Sequence, residues 1–175
     1  GHMDTYQALT GVCAMSPELF FGQLAGMPIP KASGDYAGTW KSREHEALQV
    51  YEQYLGRAPF SDFTACAHVL KAVPENSIIH LGNSSTVRYA LLSPGIKDVT
   101  WFGNRGTSGI DGSVSTAVGY ASCRSQINTL ILGDLSFFYY SNRLWNKYLG
   151  GNLRIILLNN DCGNIFSFVE DLAGR

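Results

Sequence analysis

The strongest constraint on this chain is a series of short apolar runs that do not alternate with polar residues. Ser77-Ile78-Ile79-His80-Leu81, Val99-Thr100-Trp101-Phe102, Thr129-Leu130-Ile131-Leu132 and Arg154-Ile155-Ile156-Leu157-Leu158 each put apolar side chains on both faces of an extended segment. Such strands must be covered on both sides, and the segments between them have helical character. Helices are expected from Ser61, a capping residue, to about Val73, from Ser84 to Leu92, from about Gly112 to Cys123 and from about Ser136 to Tyr148. A helix between successive strands is the connection that parallel pairing requires. The expected fold class is α/β, a three-layer α/β/α arrangement around a mostly parallel sheet.

Ahead of this regular part, Gly26-Met27-Pro28-Ile29-Pro30 and then Gly34-Asp35 concentrate turn chemistry that neither a helix nor a central strand tolerates. Residues 4–57 therefore read as a separate leading piece. Its helix is expected from Trp40 to Leu55, with Ala47, Leu48, Tyr51 and Leu55 at helical spacing and Gly56 and Pro59 ending it. Residues 58–175 are expected to form the main domain, and Gly1-His2-Met3 reads as the scar of a cleaved expression tag.

Composition narrows the function classes. With 45% hydrophobic residues the chain can build a core, and a formal charge of −1 with scattered basic residues lacks the footprint of a nucleic-acid binder. No apolar run approaches the roughly 18 residues that a membrane span needs, so membrane association is not expected and a cytoplasmic location is. Cys13, Cys66, Cys123 and Cys162 form no CxxC pair and read as reduced thiols.

In parallel sheets ligands collect outside the carboxyl ends of the strands. Those ends here are Gly82-Asn83-Ser84, Gly103-Asn104-Arg105-Gly106, Gly133-Asp134 and Asn159-Asn160-Asp161. If the last two strands are neighbours, Asp134 and Asn160 converge as hard oxygen donors that could share Mg²⁺ with water and phosphate. Alternatively Asp134 caps the following helix and Asn160 stabilises a turn. No G-x-G-x-x-G, P-loop or G-x-S-x-G motif is present. His45, His68 and His80 are isolated, and His80 reads as structural.

Gly133-Asp134, followed 26 positions after the Asp by Asn160 in an Asn-Asn pair, resembles the Gly-Asp-Gly…Asn-Asn signature of thiamine-diphosphate enzymes. Leu135 stands where the general signature has Gly. Taken with Asn104-Arg105-Gly106-Thr107-Ser108-Gly109-Ile110-Asp111-Gly112, Gly133-Asp134-Leu135-Ser136 and Asn159 through Ser167, the pattern is similar to one branch. That branch is the family of 2-succinyl-5-enolpyruvyl-6-hydroxy-3-cyclohexene-1-carboxylate synthases (MenD) of menaquinone biosynthesis, and the likeness covers about residues 77–170.

The resemblance implies a transferase that decarboxylates 2-oxoglutarate with thiamine diphosphate and Mg²⁺ (or Mn²⁺) and adds the succinyl-semialdehyde unit to isochorismate. It implies a thiamine-diphosphate-binding fold with Asp134, Asn160 and the carbonyl of Cys162 as metal ligands, although Cys162 replaces the usual Gly. Gly106, Ser108, Ile110, Gly133, Asp134, Leu135 and Asn160 would contact the cofactor, with Ile110 beneath it. Ser84, Arg88, Arg105, Ile165 and Phe166 would face the substrates; read from the residues alone, Arg88 could be a solvated helix position, Ile110 a core plug, and Ile165 and Phe166 helix packing.

The resemblance also implies a homodimer or homotetramer with the cofactor between subunits. No catalytic residue is assigned in this chain, because the activating Glu belongs to an N-terminal domain of the family. Residues 4–57 would be the end of a central domain with its linker, and residues 58–175 a cofactor domain incomplete at its C-terminus. The chain alone is then expected to be inactive.

Overall fold

A computed structural model describes residues 3–28, 34–96, 98–161 and 163. The chain divides into two compact units at Lys41–Ser42. In the first, helix α1 (Pro17–Gly26) starts where Ser16 accepts a hydrogen bond from the Leu19 N–H, with Pro17 in the first turn. This Ser-Pro-Glu start signal is legible in the sequence, but the helix was not expected. Helix α2 (Tyr36–Leu55) begins four residues ahead of the expected Trp40, because the Asp35 carboxylate accepts from the Gly38 N–H at 2.8 Å and so supports an additional turn.

The second unit holds α3 (Asp62–Ala72), β1 (Ile78–Leu81), α4 (Ser85–Leu92), β2 (Thr100–Gly103), α5 (Ser113–Ser122), β3 (Asn128–Gly133), α6 (Asp134–Tyr140), a 3-10 turn (Ser141–Leu144) and β4 (Leu153–Leu158). The helical stretch expected to reach Tyr148 stops at Tyr140 and finishes as the single 3-10 turn. Beyond it the Asn146 side chain donates to the Arg143 carbonyl at 2.7 Å and accepts from the Tyr148 N–H at 2.9 Å, so local side-chain bonds displace helical ones.

The four strands are all parallel, in the order β2-β1-β3-β4. Crossovers between parallel strands are right-handed, so a step that reverses direction along the sheet puts its helix on the opposite face. The step from β1 to β2 runs one way and the steps to β3 and β4 run the other. Accordingly, α4 packs with α3 on one face over Ile79, Leu81 and Ile131, and α5 and α6 pack on the other over Leu130 and Leu132. Successive strand residues feed alternate cores, which gives the expected three-layer α/β/α fold. Among the described residues no helix is long and apolar enough to cross a membrane.

Two residues fix how closely the central strands meet. The Gly82 N–H donates to the Ile131 carbonyl at 2.8 Å, and a Cβ at Gly82 would lie 2.8 Å from that of Leu132, so β1 leaves the sheet against β3 with no room for a side chain. His80 is buried on the α5 face, stacked on Phe102 and edge-on to Tyr120, each at 5.5 Å between ring centres. Asn128 gives its amide N–H to the Gln126 carbonyl, so its oxygen accepts from His80 Nε2 at 2.9 Å. His80 is thereby the structural histidine expected from the sequence.

Burial lowers the His80 pKa from its ordinary 6.5, opposed in part by the Asn128 bond. Below about pH 6.5 the unfolded chain therefore binds more protons than the folded one, and this contribution to stability is complete above that pH and lost as pH falls toward the folded value. Denaturant midpoints measured from about pH 7.5 down to about pH 5.5 are expected to fall, and His80→Gln is expected to flatten the part of the decline that His80 contributes.

Candidate functional site

The reversal of strand order lies between β1 and β3, and there the loops at their carboxyl ends part to opposite faces. A cleft of about 110 Å³ opens at that point, lined from the β1, β3 and β4 ends, the loop before α5 and the start of α3. The adjacency of β3 and β4, on which the convergence of Asp134 and Asn160 depended, is present, with Gly133 paired to Leu158.

Each wall has a local cause. Ser84, the N-cap of α4, has φ 68° and ψ −128°, a region that costs a non-glycine residue about 1–3 kcal/mol and persists only where its surroundings impose it. Its neighbour Asn83 supplies part of that constraint. Buried to 3% exposure, Asn83 donates to the carbonyls of Asn104 at 2.9 Å and Gly109 at 2.6 Å, and accepts from Arg105 Nη1 at 2.7 Å. One amide thus ties the β1 loop to the β2 loop and sets the place of the Arg105 guanidinium. Further along the β2 loop, the Ile110 carbonyl accepts from the buried Ser136 hydroxyl, which holds Ile110 at the cleft.

Asp134 is the first residue of α6 and is buried. The N-cap of α6 is Gly133, which has no side chain to cap with, and the Asp134 Oδ1 accepts from the first-turn Leu135 N–H at 2.7 Å. In the β4 loop Asn159 and Asp161 bond to each other, Nδ2 to Oδ1 at 2.7 Å and N–H to Oδ1 at 3.1 Å, which closes the turn. Asn160 lines the cleft from the middle of that turn and donates Nδ2 to Asp62 Oδ2 at 2.8 Å.

Among its described lining residues Asp62 and Asp134 are the only charged ones, so that lining carries carboxylates and no basic side chain. Among the described residues no three or more His, Cys, Asp or Glu side chains are grouped so that they could hold a metal ion. An ion held here must complete its shell with amide, carbonyl, water or ligand oxygens. That is the habit of Mg²⁺, which keeps several waters and takes one or two carboxylates, and the donor set fits it.

Comparison with known proteins identifies the scaffold around this cleft. The chain is 53% identical over 116 residues, 66% of its length, to 2-succinyl-5-enolpyruvyl-6-hydroxy-3-cyclohexene-1-carboxylate synthase of Christiangramia forsetii. It is 41% identical over 171 residues, 97% of its length, to the synthase of Bacteroides fragilis, and 42% identical over 163 residues to that of Flavobacterium johnsoniae. The chain belongs to this synthase family. It spans 20% of the Christiangramia forsetii protein, 30% of the Bacteroides fragilis one and 29% of the Flavobacterium johnsoniae one. No family model matches it.

Of the residues that the synthase resemblance marked, Ser84, Ile110, Gly133, Asp134, Leu135 and Asn160 line the cleft together. Arg88 lies exposed on α4, and Arg105, Gly106 and Ser108 lie exposed in the β2 loop, outside the lining. Cys162, Ile165 and Phe166 fall outside the described residues. Sequence reasoning missed Asp62, whose only legible role was as the residue after a helix cap, and the tethering parts of Asn83 and Ser136, although both stand in motifs already singled out.

Asn83→Ala is expected to lower stability by about 2 kcal/mol, because it leaves two loop carbonyls without their donor. Asn83→Asp can still accept from Arg105 but can donate to neither carbonyl, and it is expected to fall at least as far. Chemical denaturation of the two variants checks both statements, and a neutral Asn83→Asp would assign the tethering to the Arg105 bond alone.

Proposed function

We propose that this chain forms the metal- and diphosphate-holding part of a thiamine-diphosphate-dependent synthase of menaquinone biosynthesis. The reaction releases CO₂ from 2-oxoglutarate and joins the remaining four-carbon unit to isochorismate. The observation that carries this reading is the convergence of Asp134 and Asn160 on one cleft in a chain 41% identical to such synthases over 171 residues.

In this reading Asp134, Asn160 and the carbonyl of Cys162 hold Mg²⁺. The charge of the cleft supports an ion in that role: a diphosphate next to Asp62 and Asp134 would be repelled without a divalent cation between them. Gly106, Ser108, Gly133 and Leu135 border the cofactor, and Ile110, held by Ser136, supports it from below. Thiamine diphosphate supplies the electron sink that lets CO₂ leave.

Ser84, Arg88 and Arg105, with Ile165 and Phe166, are assigned to the substrate side. A guanidinium presents two parallel donors to a carboxylate, which suits both polyanionic substrates. Arg105 is already oriented by Asn83, so less freedom is lost when it engages one of them.

As the family resemblance implies, the glutamate that activates the cofactor is assigned to an N-terminal domain contributed by a partner subunit. The exposure of Phe138 and Tyr139 on α6, beside Leu135, suits a homodimer or homotetramer in which a second subunit covers this edge. Residues 4–57 are read as the end of a central domain and its linker, residues 58–175 as the cofactor domain, and the chain on its own as inactive. A cytoplasmic location accords with these substrates.

Calorimetry of the intact synthase with thiamine diphosphate, with and without Mg²⁺, tests the reading. Binding is expected to require the metal, and Asp134→Ala is expected to weaken it by more than about 100-fold, since even outer-shell changes at metal sites cost about 10–100-fold. Metal-independent binding, or CO₂ release from another 2-oxo acid but not from 2-oxoglutarate, would contradict it.

A further inference from the structure

Asp62 lines the cleft outside the motifs and has no ligand role in the proposed chemistry, and the inference drawn from it rests on the metal-site reading above. Asp62 is the first residue of α3, 98 positions from Asn160, yet its Oδ2 accepts from Asn160 Nδ2 at 2.8 Å. The start of α3 is itself fixed by a reciprocal capping box. Ser61 N–H donates to Thr64 Oγ1 at 2.8 Å, and the Thr64 N–H donates to Ser61 Oγ at 3.4 Å. The carboxylate is therefore presented from a rigid base.

The two ends of an asparagine amide differ in chemistry, and only one can face a carboxylate. A carboxylate has acceptors alone, so the NH₂ end must turn to Asp62 and the oxygen must point away. The reversed amide would set oxygen against oxygen. Cations, conversely, accept only the oxygen end as a ligand. The Asp62 bond thus favours, before any ion arrives, the orientation of Asn160 whose oxygen can coordinate a metal.

We propose that Asp62 is a positioning residue that holds the Asn160 amide with Oδ1 toward the Mg²⁺ of the cleft. It acts through Asn160, as carboxylates behind metal-bound histidines do, and groups of that kind commonly change metal affinity about 10–100-fold. Its negative charge on the cleft wall would also attract a cation, so orientation has to be separated from charge.

Two variants of the intact protein make that separation. Asp62→Asn has nearly the same shape but can face either end of the Asn160 amide, so it no longer enforces one. Asp62→Glu keeps the charge but moves the carboxylate outward by one methylene. Mn²⁺ affinity, read by electron paramagnetic resonance in the presence of thiamine diphosphate, is expected to fall about 10-fold or more in both. Melting curves without metal establish that each variant is folded. In the metal-free wild type the Asn160 side-chain NH₂ signals should show slowed exchange that Asp62→Asn reduces.

Unchanged affinity in Asp62→Asn would overturn the proposal. Reduced affinity in Asp62→Asn with the Asn160 NH₂ exchange still as slow as in the wild type would also overturn it, by assigning the effect to charge. Asp134→Ala serves as the control for the cleft itself: if that variant still binds Mn²⁺ normally, the metal-site reading fails. If Asp134→Ala loses the ion while both Asp62 variants keep it, only the role of Asp62 fails.

Discussion

The single reversal of direction in the strand order is the constraint on which the rest of the molecule depends. Right-handed crossovers turn that reversal into a change of face, so α4 goes to one side of the sheet and α5 and α6 to the other. The loops after β1 and β3 must then separate, and the gap between them is the cleft. Gly82 keeps the floor of that gap narrow by allowing β1 to leave against Leu132 with no intervening side chain. The site is thus a consequence of connectivity first and of particular side chains second.

What the side chains add is placement. Asn83 ties the β1 loop to the β2 loop, Ser136 ties α6 to Ile110, and Asp62 ties α3 to the β4 loop. Each link joins segments distant in sequence and uses a buried or half-buried polar group with a defined partner, which is the condition under which such groups order a structure instead of destabilising it. Together they hold three loops and the starts of two helices around a small acidic space. Two carboxylates repel a diphosphate unless a cation lies between them, so the electrostatics and the oxygen donors are consistent with the same chemistry.

Much of this was legible in the sequence. Unalternating runs such as Leu130-Ile131-Leu132 announce strands buried on both faces, and polar residues after each run mark where a ligand would sit. Asp134 and Asn160 could be paired from motif spacing, and the parallel adjacency of β3 and β4 brings their loops together. The long-range links were not legible. Nothing local distinguishes Asp62 from any acidic residue in the first turn of a helix, since its partner is 98 positions away. The end of α6 was misplaced for a related reason: Asn146 competes for backbone groups through bonds that hydrophobic spacing does not register. Helix α1 was missed despite a clear cap because the glycine- and proline-rich segment after it dominated the reading of that region.

The central claim is that the cleft at the strand reversal holds a divalent cation between Asp134 and Asn160. Crystals of the intact protein grown with thiamine diphosphate and Mn²⁺, with data collected for the anomalous signal of manganese, test it most directly. The account predicts one strong peak beyond the carboxyl ends of β3 and β4, with a carboxylate oxygen of Asp134 and Oδ1 of Asn160 each about 2 Å from the ion, close to the distances Mg²⁺ requires. A cofactor bound elsewhere, or a manganese peak that touches neither residue, would contradict it.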